Sequence, residues 1–148
     1  MRREDKYPDT TTFHYYNANP HNKKTGDCVI RAICTALNQT WEQTVRELTE
    51  IGLKYGYLAN EPKCYGRYLE SKGYIKHSQP RHGDNTKYTG KEFCRLLNER
   101  INDGNNVIAH IGGHHIVTFV YEDNDTYRVY DIWNSTEGCI GNYWTKAQ

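Results

Sequence analysis

The sequence predicts a single α+β domain, on three observations. The chain has 148 residues, enough for one ordinary domain and too few for two. Between Cys28 and about residue 102, outside the irregular stretch Tyr74 to Tyr88, apolar residues recur at three- and four-residue steps, the period of amphipathic helices. After Asp103-Gly104 the pattern changes to β-branched and aromatic runs separated by turn residues. Helices first and strands second reads as α+β, not as the alternating units of a parallel sheet.

Taken in order, residues 1–12 are polar and charged and read as a flexible arm ahead of one domain spanning 13–148. Phe13 to Pro20 leads into a polar loop from His21 to Gly26. From Cys28 the pattern is helical, with Val29, Ile33 and Ala36-Leu37 on one face. Asp27 stands where an N-cap belongs, which puts Cys28 in the first turn. Thr40 with Gln43 spells a capping box for a second helix, whose stripe is Trp41, Val45, Leu48 and Ile51-Gly52 and which Gly56 ends. Pro62 to Ser71 reads as a shorter helix closed by Gly73. Tyr74 to Tyr88, with Pro80, Gly83 and five His, Lys or Arg side chains, reads as a long loop. Thr89 with Glu92 opens a fourth helix with Phe93, Leu96 and Leu97 inward. Val107–Ile111, Ile116–Tyr121 and Tyr127–Ile132 then form an antiparallel meander, broken by Gly112-Gly113 and Asp123-Asn124-Asp125. A fourth short strand is expected over Ile140–Trp144. The expected architecture is N-terminal helices packed on a C-terminal antiparallel β-sheet.

Composition narrows the function. Nineteen Lys and Arg against 18 Asp and Glu leave a net charge of +1, which argues against bulk binding to nucleic acid or an acidic membrane. No apolar run approaches the roughly 20 residues of a membrane helix, and Met1 to Lys6 has no signal-peptide character. Five widely spaced cysteines suit a reducing, cytoplasmic setting better than a disulfide framework. Leu, Ile, Val and Phe total only 26, so 13 Tyr and 3 Trp must supply much of the core. Each aromatic ring can bury about 150–250 Å².

A nucleophilic cysteine must be a thiolate, and both a helix N-terminus and a nearby imidazolium favour that state. Cys28 has the first by position, whereas Cys34, Cys64, Cys94 and Cys139 do not. A free cysteine is also, commonly, a small buried apolar residue. The matching base should be a histidine oriented by a third group. Gly112-Gly113-His114-His115 puts two histidines at a strand start, and Asp131 lies near the end of the next strand. Side chains alternate along a strand, so only one histidine shares a face with Asp131. A turn centred on Asp123 or Asn124 selects His115, and a register shifted by one selects His114. His110, His114 and His115 gather around the glycine turn. However, no cysteine pair has C-x₂₋₄-C spacing and no H-E-x-x-H occurs, so no metal or other cofactor is expected.

With these residues in place, the chain resembles the papain-like cysteine peptidases. A cysteine opens the first long helix, a histidine starts a strand, and an Asp follows one strand later. The spacing from His115 to Asp131 and the apolar run Ile116–Val120 are similar to papain-type and bacteriocin-leader-processing peptidases. Asp27-Cys28 looks like the Asp-Cys pair of the leader-processing group. Gly26 to Ile33 is also similar to the nucleophile helix of ovarian-tumour-type deubiquitinases. The resemblance implies a papain-like fold and a Cys28–His115–Asp131 triad acting on a peptide or protein substrate. It further implies an oxyanion donor at Asn22, six residues before the cysteine, with Asn19 or Asn17 as substitutes. Trp133 would shield the His–Asp hydrogen bond. The motif positions cover only residues 22–33 and 112–133, and Asn22 and Val29 depart from the Gln and small residue common in these families. A non-catalytic binding module on the same scaffold and a thiol acyltransferase or deamidase are the alternative expectations. The oligomeric state is left open.

Overall fold

Local signals place most helix boundaries, and long-range pairing builds the sheet around them. In the computed structural model, which describes residues 1–148, a helical turn α1 (Arg3–Lys6) and strand β1 (Phe13–Tyr15) come first. Three helices follow, α2 (Cys28–Leu37), α3 (Trp41–Tyr55) and α4 (Pro62–Ser71), and then strand β2 (Tyr74–His77). Helix α5 (Gly90–Leu96) runs on into a wider helical turn over Leu97–Ile101. Strands β3 (Val107–Ile111), β4 (His115–Tyr121), β5 (Tyr127–Asp131) and β6 (Ile140–Lys146) complete the chain. The molecule is therefore mixed α+β, as the periodicity predicts.

The caps of α3 and α5 act as their spacing suggests, with one exception. Thr40 Oγ1 accepts the Gln43 N–H at 3.0 Å, but the Gln43 amide turns to Glu47, so this box is half made. Thr89 and Glu92 close theirs in both directions, at 3.2 and 2.9 Å. Gly56 ends α3 with φ +80°, a left-handed conformation that glycine adopts without a Cβ clash.

The six strands form one sheet in the order β1-β5-β4-β3-β6-β2. Strand alternation sends Ile108 and Ile116 to one face and Val107, Ala109, Ile111, Val117 and Phe119 to the other. On the first face they meet Ile33, Leu48, Tyr68 and Leu69 from α2, α3 and α4. On the second they meet Phe93 and Leu97 from α5 and its extension, together with Phe13, Tyr127 and Val129. Helices thus cover both faces, which explains why β3 and β4 are near-continuous apolar runs. Aromatic rings carry much of this burial: Tyr68, Tyr127, Phe13, Phe93 and Phe119 are almost wholly enclosed. Tyr127 satisfies its hydroxyl by donating to the Asn105 carbonyl at 2.9 Å.

Three features differ from the sequence reading. The sheet is not purely antiparallel, because β1 pairs parallel to β5, with Phe13 opposite Val129 and Tyr15 opposite Asp131. Three residues are too few to show a period, so this strand had no sequence signal. Tyr74–His77 is an edge strand paired with β6, although the run that contains it reads as loop. Two strands therefore precede the meander. Within residues 1–12, α1 is tied to the domain by Arg3, whose Nε donates to the Ile132 carbonyl at 2.6 Å.

Candidate functional site

Cys28 is the first residue of α2, and His115 is the first of β4. The glycines at 112 and 113, with φ of +61° and +94°, turn the chain between β3 and β4. His114 completes this turn and is exposed. The register of β4 and β5, Thr118 opposite Tyr130 through Tyr121 opposite Tyr127, centres their connection on Asn124. Continuing it puts Val117 across from Asp131, so His115, two residues away, faces the same way. His115 Nε2 lies 2.5 Å from Asp131 Oδ2. That bond leaves Nδ1 as the ring nitrogen free for sulfur.

The electrostatics follow from this contact. Burial pushes the Cys28 thiol up, but its hydrogen bond with His115, the imidazolium charge and the Ile116 N–H together outweigh burial and bring it below the ordinary thiol value. Burial also pulls His115 down, yet its hydrogen bonds to Asp131 and Cys28 prevail and hold it at about 9. The two shifts are reciprocal, since each group favours the charged form of the other. No other cysteine is comparable: burial drives Cys34 to about 11 and Cys94 to about 12. Cys64 is buried and raised, and Cys139 is exposed.

Asp27 does not cap α2. Its side chain bonds no helix N–H and instead accepts Arg31 Nε at 2.8 Å, Asn19 Nδ2 at 3.1 Å and Trp41 Nε1 at 3.0 Å. A guanidinium one turn along offers a stronger, charge-assisted bond than a backbone amide. Arg31 also reaches Asp131, with Nη1 donating to Oδ1 at 2.6 Å. It is the one charged residue in α2 and was missed in the sequence, although Asp27 and Arg31 stand at the i, i+4 spacing of a helical ion pair.

Of the three oxyanion candidates, Asn22 alone keeps its amide nitrogen free of a partner. Asn22 is exposed with φ +54°, and its Oδ1 accepts from Asn17 Nδ2 at 3.3 Å, which leaves Asn22 Nδ2 uncommitted. Asn17 and Asn19 have both spent their amide nitrogens on other partners. The Trp133 ring lies 5.1 Å from His115 and remains 36 % exposed, so it covers the imidazole incompletely.

Beside Cys28 lies a pair that the sequence did not signal. Tyr65 Oη is 2.7 Å from His110 Nε2, and both rings pack edge-on against Trp144. Strand β6 bulges opposite His110, where a Cβ on Gly141 would approach His110 Cβ to 3.2 Å. No three His, Cys, Asp or Glu side chains converge to hold a metal.

Neither a family model, nor a curated protein, nor a solved structure matches this chain.

No helix is long and apolar enough to cross a membrane. A crevice with no room for a water molecule, lined by Cys28, Arg31, Ala32, Ile116 and Asp131, lies at the cysteine. A groove of about 800 Å³ adjoins it, sharing Tyr16, Ala18, Thr35 and Tyr130 but not the cysteine.

Proposed function

We propose that the protein is a thiol-dependent hydrolase of papain-like type, acting on peptide or isopeptide bonds through Cys28, His115 and Asp131. One observation carries the reading: a half-buried cysteine at a helix start, its thiol lowered by His115, lies in one site with an imidazole whose Nε2 is held by a buried carboxylate. The Cys28 thiolate attacks the substrate carbonyl carbon, and the developing oxyanion is met by the Cys28 backbone N–H, which has no carbonyl partner at a helix start. Asn22 Nδ2 is the second donor in this reading. The His115 imidazolium then gives its proton to the departing amine, which leaves a thioester. Neutral His115 next takes a proton from water, whose oxygen attacks the thioester. The acid product departs and the thiolate–imidazolium pair is restored. All five cysteines are unpaired, which supports a reducing, cytoplasmic setting.

The test is turnover of peptide and isopeptide libraries by the wild type and Cys28→Ala. Cleavage by the wild type and none by the variant is the expected result. Absence of cleavage by both overturns the hydrolase reading. For any substrate found, kcat/KM should be bell-shaped in pH. The acid limb follows thiolate formation, and the alkaline limb falls near pH 9 as His115 loses its proton. A profile still rising at pH 10 contradicts the assignment of His115 as the acid.

A binding module is the second reading, and the groove bordered by Tyr16, Trp41 and Tyr130 favours it, since it is roomier than the crevice at the cysteine. A module keeps its partner after Cys28→Ala. A thiol acyltransferase or deamidase would use the same residues, with an amine or a side-chain amide in place of water or the peptide.

A further inference from the structure

Five side chains, from three elements and one adjoining residue, form a chain of alternating charge that returns to its start. Asp27 holds Arg31 at 2.8 Å, and Arg31 holds Asp131 at 2.6 Å. Asp131 holds His115 at 2.5 Å, and His115 and Cys28 each favour the other's charged form, with Cys28 joined to Asp27 by a peptide bond. Asp27, Arg31 and Asp131 are all buried, at 6 %, 7 % and 2 % exposure. Burial on this scale makes each charge costly unless it is paired, so each member depends on the next.

The division of Asp131 between its partners is specific. Oδ1 accepts from Arg31 Nη1 and from the Ile132 N–H, at 2.6 and 2.8 Å. Oδ2 is left for His115. A carboxylate pinned through one oxygen cannot rotate away from the imidazole on its other side. The guanidinium is a rigid fork that can engage two carboxylates at once, which an ammonium does less well. Its Nε and Nη1 serve Asp27 and Asp131, and Asp27 is itself steadied by Asn19 and Trp41. Around His115 the titratable and charged groups are Cys28 of α2 and Asp131 of β5, with Arg31 of α2 behind the latter. Tyr15 of β1 faces Asp131 and Arg31, with Arg3 and Glu4 of α1 beyond it.

We propose that Arg31, anchored by Asp27, is a positioning residue of this site: it sets the Asp131 carboxylate that orients His115 and so maintains the thiolate–imidazolium pair from inside the protein. This rests on the thiol-hydrolase reading for its purpose, but its test does not require a substrate.

The experiment measures two quantities in the wild type, Arg31→Lys and Asp27→Asn. One is the His115 ring titration by ¹⁵N-edited NMR. The other is the pH profile of Cys28 alkylation by iodoacetamide. Both variants should titrate His115 at lower pH and slow Cys28 alkylation at pH 6 by about tenfold, one pKa unit being a factor of ten. Continued protection of Cys34 and Cys94 from alkylation shows that the fold is intact. A purely structural ion pair would lower the melting temperature and leave both profiles in place, and that outcome in folded variants overturns the proposal. Should neither variant fold, the wild type alone decides. Its Arg31 Nε–H resonance should move with the same midpoint as His115, and a resonance indifferent to that titration overturns the proposal. A wild-type Cys28 that alkylates only in the ordinary thiol range defeats the hydrolase reading instead, while the His115 titration still judges Arg31.

Discussion

His115→Ala should abolish the fast alkylation of Cys28 at pH 6. In the wild type, burial opposes ionisation of this thiol, and the hydrogen bond and charge of His115 are the main reasons it ionises below the ordinary range. Without the imidazole, burial remains, and only the Ile116 N–H, Arg31 and the helix start oppose it. A thiol returned to about 8.5 is roughly 0.3 % thiolate at pH 6. The labelling rate at that pH should therefore fall at least about tenfold and regain speed only as the pH approaches the thiol range. Peptide mass spectrometry provides its own controls, because Cys139 is exposed and Cys34, Cys64 and Cys94 are buried. Cys139 should label identically in both proteins, and the three buried thiols should label in neither. An unchanged Cys28 rate in a folded His115→Ala protein would break the link between the two residues. His114→Ala, at an exposed turn position, should leave the rate alone.

Gly52→Ala should cost roughly 3 kcal/mol or more of stability, at the upper end for an overpacked site. A Cβ at this position would lie 2.2 Å from the Tyr57 carbonyl oxygen and 3.3 Å from its carbon. The clash is with backbone, so no side-chain rotamer relieves it. The backbone is also tied in place, since the Gly52 carbonyl accepts the N–H groups of Gly56 and Tyr57 at 2.7 and 2.9 Å. These bonds close α3 and turn the chain toward α4. For a domain of this size the loss corresponds to a fall in melting temperature of roughly 6–12 °C. Gly66→Ala is the matched control: it is also helical, its Cβ would meet nothing within 4 Å, and it should stabilise by roughly 0.5–1 kcal/mol. Equal melting temperatures for the wild type and Gly52→Ala would show that the α3 terminus yields easily.

Much of this fold is legible without coordinates. Thr40, Pro62 and Thr89 mark helix starts, Gly56 marks an end, and Gly112-Gly113 marks a turn, because capping and left-handed backbone are decided within a few residues. The placement of Cys28 at a helix start and the shared face of His115 and Asp131 follow from the same local rules, once the turn is centred on Asn124. Without that centre, a register shifted by one residue selects His114 instead.

The remainder is tertiary. Pairing of Phe13–Tyr15 with Val129–Asp131 joins segments more than a hundred residues apart, and nothing in three residues announces a parallel partner. Tyr74–His77 is a strand because β6 offers it an edge, not because its own period demands one. Asp27 had a helix N–H within local reach, but the fold brought it Asn19 and Trp41 and an Arg31 already committed to Asp131. Sequence determined which residues can cap, turn, ionise and alternate, since those properties belong to a residue and its near neighbours. Only the tertiary structure decided which buried charge meets which, because that choice depends on what else is removed from water beside it.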